Sequence, residues 1–168
     1  MERFLTPIIS ESKVIEMFWK RLIVHGFFLI ITIGLVKLFT MNHVTISGNG
    51  NLAILVIPFA ILAFLLLGID VVWTIIETDL TPKVIMFVCL GSFIVLLLSL
   101  ALEYNFTVNL IHHLGGPPTE ENSRIYRYGW LNQYTNTIFI NFYTLVIFVS
   151  TLTFLTSLIR LIKLHKKS

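Results

Sequence analysis

Charge is scarce in this sequence. Only 12% of its 168 residues are Asp, Glu, Lys or Arg, against about 25% in a soluble domain. That scarcity, beside so much apolar sequence, excludes an intrinsically disordered chain. It also argues against a nucleic-acid binder, because a net charge of +3 is small for a surface that tracks phosphates. Cysteine is scarcer still. The single Cys89 has no partner within the chain, which excludes a disulfide-stapled fold. Enzyme motifs are missing too. There is no G-x-S-x-G, no phosphate-binding glycine loop and no paired intramembrane aspartates. No C-x-x-C, H-x-x-x-H or H-E-x-x-H spacing occurs, and no two histidines face each other across the spans to ligate a haem. The chain reads as a non-enzyme with no cofactor.

What remains is apolar sequence. Hydrophobic residues make up 56% of the chain, and the mean hydropathy is +0.87. A helix needs about 20 mostly apolar residues to cross a hydrocarbon core about 30 Å thick. Four stretches reach that length: 22–41, 52–73, 84–102 and 138–161. A strand barrel would show short alternating segments instead. The expectation is an all-α polytopic integral membrane protein, four transmembrane helices in a small bundle. Residues 1–21 form an N-terminal segment, 22–163 the transmembrane domain with an outer loop at 103–137, and 164–168 a basic tail. The lipid bilayer is its first partner, and the plasma membrane is the expected location.

Orientation follows from Lys and Arg. With both termini cytoplasmic, the inside holds Arg3, Lys13, Lys20, Arg21, Lys83, Arg160, Lys163, Lys166 and Lys167, nine of the twelve basic residues. The inverted arrangement violates the positive-inside rule. The Arg160–Lys167 tail reads as a topology anchor with lipid head groups as counter-ions.

Residues 10–21 have helical periodicity, with Val14, Ile15, Phe18, Trp19 and Leu22 on one stripe and Ser10 as N-cap. This segment is either an interfacial helix on anionic lipid or a plain extension of the first span. In the outer loop, Phe106–Leu114 reads as a short interfacial helix ended by Gly115 and Gly116, with Pro117 and Pro118 after it. Tyr126, Tyr128, Trp130 and Tyr134 follow as an aromatic cluster, either an interface belt or a partner surface. His112 and His113, with His43 from the other outer loop, make a weak candidate for an external zinc or copper site.

An ionisable residue inside a span is a functional hypothesis by default. His25 and Asp70 lie at matched depth near the inner edge, and Lys37 and Glu103 at matched depth near the outer edge. Each pair could fix helix packing or gate a proton path. Otherwise Lys37 snorkels outward and the acids sit in wet head groups. Ser150, Thr153 and Ser157 share a stripe of the fourth span, and Gly91 interrupts the third. Such small and hydroxyl residues suit close helix packing. Pro58 is placed to kink the second span.

In the first span, Arg21 followed by Gly34-Leu35-Val36-Lys37-Leu38 resembles the opening helix of the small four-span DoxX-like proteins. The resemblance covers a small part of the chain, and no residue role or activity is carried over from it. The functional expectation is a non-enzymatic accessory or assembly subunit that binds another membrane protein or itself. The alternatives are a small oligomeric transporter or channel using His25, Asp70 and Lys37, and then a membrane enzyme or electron-transfer subunit.

Overall fold

The structure is a computed structural model that describes residues 11–45 and 50–166, with side chains from residue 16 onward. Ser10, Ser47, Gly48, Asn49 and Lys167 lie outside the described residues, as do the side chains of Lys13, Val14 and Ile15. Among the described residues every regular element is helical: α1 (Glu11–Phe39), α2 (Ile57–Glu77), α3 (Pro82–His113), α4 (Asn136–Phe139) and α5 (Phe142–His165). A 3-10 turn at Leu52–Leu55 precedes α2. Four helical stretches are long and apolar enough to cross a membrane: Glu16–Phe39, Ile57–Glu77, Pro82–His113 and Asn136–His165.

The boundaries differ from the sequence expectations where local chemistry overrides the apolar count. α1 contains no proline, so the amphipathic segment and the first span are one continuous helix. No break in the helix separates the two. On this overhang Lys20 Nζ pairs with Glu16 Oε1 at 2.7 Å, one helical turn apart. Pro58 falls in the first turn of α2, where its missing N–H has no intrahelical partner to lose. The expected kink is therefore not made. α3 continues to His113, because nothing between Leu102 and Gly115 breaks a helix; Phe106–Leu114 is its last part rather than a separate helix. Gly115 and Gly116 then take φ of +83° and +116°, open to glycine without strain. At 1.5 Å per residue α3 is about 48 Å long, well beyond the roughly 30 Å hydrocarbon core. The fourth span is split. Asn141 leaves the helix after α4 and restarts it as the N-cap of α5.

α1 packs on α2, α2 on α5, and α5 on α3, so the long helices form a row with α1 and α3 at its edges. One core layer joins Leu29 of α1 to Ala63, Leu67, Val71 and Ile75 of α2 and Leu145 of α5. A second joins Val36, Ala53, Val56, Ala60 and Ile140. The end where α1 begins and α5 finishes, here the basic end, carries Arg21 and Arg160. The opposite, loop end is closed by a third cluster of Leu114, Ile125 and Tyr134. There the 22 residues between α3 and α4 pair backbone groups among themselves, through turns such as Tyr126 N–H to Ser123 O at 3.0 Å and through the longer link from Arg124 N–H to Leu114 O at 2.9 Å.

The close helix approach is at Gly68, which sequence reasoning missed. A methyl there would stand 2.8 Å from Phe148 Cζ and 3.0 Å from Leu152 Cδ1. Gly91, expected to ease packing, meets nothing within 4 Å and faces open space. Gly68→Leu should push Phe148 out of its edge-on contact with Phe64 and lower the thermal midpoint in detergent. Gly68→Ala should stay near neutral, since a helix-propensity gain of about 1 kcal/mol offsets a small ring shift. Phe148→Ala added to Gly68→Leu should recover most of the loss. A midpoint unmoved by Gly68→Leu would refute the close α2–α5 contact.

Candidate functional site

The most concentrated chemistry lies at the basic end. Asp70 of α2 is wholly buried. A bare carboxylate there would cost several kcal/mol in lost hydration. Arg21 and His25 sit four residues apart on α1, so both side chains leave the same face. His25 Nδ1 contacts Asp70 Oδ2. Arg21 Nη2 lies 2.8 Å from Oδ1. That second contact is a charge pairing rather than an aligned hydrogen bond, because no N–H points along the line to Oδ1. Of this trio, matched depth marks His25 and Asp70, and the structure brings those two together. Arg21 counts by charge as a topology marker, but its spacing of four from His25 is the signal that it shares their site.

The same helix end is finished by hydroxyls and a second arginine. Thr74 Oγ1 donates to Asp70 O at 2.7 Å, and Thr78 Oγ1 to Thr74 O at 2.6 Å. Arg160 of α5 donates through Nη1 to Ile75 O and, at 2.8 Å, to Thr78 O. Ile75 O is among the carbonyls left open at a helix C-terminus, where a cation also suits the helix dipole, and Thr78 O accepts from Leu80 N as well. Arg160, expected to face lipid head groups as a topology anchor, is instead bound to α2.

At the loop end the second depth-matched pair does not form. Lys37 has no ion pair among the described residues. Glu103 Oε2 accepts from Asn141 Nδ2 at 2.7 Å, and Oε1 accepts from Thr107 Oγ1 at 3.2 Å. Asn141 is the hinge of this end. Its Nδ2 also donates to Thr137 O at 2.7 Å, its Oδ1 accepts from Thr144 N at 2.9 Å, and its N–H donates to Thr144 Oγ1 at 2.9 Å. The last two make a capping box on α5. Asn51 and Asn136 exchange amide hydrogen bonds of 2.9 and 2.7 Å, tying the start of the second span to α4. No local pattern marks that pair, since 85 residues separate its members.

The aromatic residues of the outer loop do not make one cluster. Tyr134 is buried and donates to Thr45 O at 3.2 Å. Tyr126 lies under the Arg127 guanidinium, 5.0 Å from ring centroid to Cζ. Tyr128 and Trp130 are exposed. His43 and His113 meet with their rings tilted at 49° and their centroids 5.0 Å apart, and His112 lies 6.1 Å from His113. His113 Nδ1 is occupied by Asn109 O at 2.6 Å. The three rings do not converge, and among the described residues no group of three His, Cys, Asp or Glu is placed to hold a metal. Of the hydroxyl stripe, Ser150 donates back to Val146 O at 2.6 Å and borders an open groove with Thr153. Only Ser157 is fully buried, its Oγ unpartnered among the described residues. Ser150 is buried and Thr153 half-buried where they border that groove.

No family model, no curated protein and no solved structure matches the chain.

Proposed function

We propose that the chain is a non-enzymatic, multi-pass subunit of the plasma membrane that acts by binding another membrane protein. The basic end lies in the cytoplasm, as the distribution of Lys and Arg requires. The observation that carries the reading is how the buried charges are used. Arg21 pairs with Asp70, His25 contacts it, and Arg160 caps α2. These groups hold the helices to one another, as befits a scaffold. The surfaces left for a partner are the outward face of α3 around Gly91, with Phe87, Ile94 and Leu98 exposed, and the loop-end residues Tyr128 and Trp130. A glycine on an exposed membrane helix lets a second backbone approach closely.

The test is extraction of the tagged protein from its native membrane in mild detergent, with mass spectrometry of what stays bound. A stoichiometric membrane protein is expected. Gly91→Leu and Trp130→Ala should each release it without moving the thermal midpoint of the isolated chain, since neither site packs inside the fold. A homo-oligomer with no partner would overturn the proposal. It would favour an oligomeric channel in which the His25–Asp70 contact handles protons and Lys37 lines the path.

A further inference from the structure

Two cavities lie along one face of the helix row. The first, about 610 Å³, opens at the loop end between Lys37 and His43 on one side and Phe106 and Leu110 of α3 on the other, with Asn141 at its floor. The second, about 450 Å³, runs below it between Gly26 of α1 and Val95 of α3, over Leu145, Ser150 and Thr153 of α5. Phe142 lines both. The lining residues follow single stripes. On α1 they are Leu22, Gly26, Ile33 and Lys37, and on α3 Ser92, Val95, Phe106 and Leu110. The two cavities adjoin at Phe142 and lie in line along a furrow flanked by α1 and α3, polar at the loop end and apolar below.

Its dimensions and charge describe an occupant. From Phe142 to Thr153 the floor runs about 16 Å at 1.5 Å per residue, roughly half of a 30 Å hydrocarbon core and hence one leaflet deep. Lys37 stands at the polar mouth without an anion among the described residues. The nearby Glu103 is held by Asn141 and Thr107. We propose that this furrow holds one glycerophospholipid, with its phosphodiester on the Lys37 ammonium and one acyl chain laid over α5 between α1 and α3. An ammonium at the head-group level recognises phosphate as a point charge, and the chain supplies apolar contact. A lipid in this place would join the two edge helices of the row, which otherwise have few contacts with each other.

The experiment is native mass spectrometry of the purified full chain, titrated with phosphatidylglycerol in detergent. One lipid per chain is expected to stay bound. Lys37→Gln should weaken retention about tenfold, and Lys37→Arg should restore it. Thr153→Trp, which fills the lower furrow, should weaken it as well, and Lys163→Gln at the basic end should not. Retention in Lys37→Gln or in Thr153→Trp as strong as in the wild type would overturn the proposal. So would diacylglycerol binding as tightly as phosphatidylglycerol, because the phosphate would then contribute nothing. If inorganic phosphate alone raises the thermal midpoint as far as the lipid does, the site takes free anion and the lipid assignment fails.

Discussion

Removing both partners of Asp70, in Arg21→Gln with His25→Gln, is expected to destabilise the protein by about 3–5 kcal/mol, the usual cost of breaking up a buried charged group's contacts. The carboxylate is wholly buried, so no solvent replaces the lost contacts. Arg21→Gln alone should cost much less. Its side chain is 44% exposed and screened, and His25 remains in contact. The decisive variant adds Asp70→Asn to the double change. With the charge gone, most of the lost thermal midpoint should return, although the variant carries one more substitution. Asp70→Asn by itself should be milder than the double change, because Arg21 can turn toward head groups. Small additive losses, with no recovery in the triple variant, would show that the three residues do not act as one charge cluster.

Asn141→Ala is the next largest effect expected, about 2–4 kcal/mol. It removes the cap of α5, worth about 1 kcal/mol. It also strips the half-buried Glu103 Oε2 of its amide donor, a loss at the low end of the about 1–3 kcal/mol that an unsatisfied acceptor costs, because water can partly replace it. Asn141→Ser separates the two, since a serine caps a helix but carries no amide to reach Glu103. Its stability should fall between the wild type and Asn141→Ala. Hydrogen exchange should report the same order locally, with the Thr144 and Leu145 amides least protected in Asn141→Ala. If serine and alanine behave alike, the cap contributes nothing. If neither differs from the wild type, Asn141 does not organise this end.

The existence and number of the long helices were legible because they answer a one-dimensional requirement. Backbone groups in lipid must bond within their own segment, and about 20 apolar residues suffice to cross. Helix ends were legible where the signal is intrinsic to a residue, as at Gly115 and Gly116. They were missed where the signal depends on what the side chain finds. Asn141 breaks the fourth span because Thr144, Thr137 and Glu103 are within its reach. Pro58 does not kink α2 because the helix begins at Ile57.

Depth along the bilayer normal can likewise be counted from a sequence. It drew attention to His25 with Asp70 and, on equal grounds, to Lys37 with Glu103. The structure joins the first pair and leaves the second apart, since α1 packs on α2 while α1 and α3 stand at opposite edges of the row. Neighbour order is invisible in the sequence for a physical reason. A face turned to lipid and a face turned to another helix are equally apolar, so no polar stripe marks which side is buried. Four apolar helices and the basic character of one end follow from the residues alone. That α5 lies between α2 and α3, that Gly68 rather than Gly91 is a contact, and that Arg21 completes the site of Asp70 depend on the three-dimensional packing. Those facts rest on which side chains can reach one another across helices, and that is a property of packing.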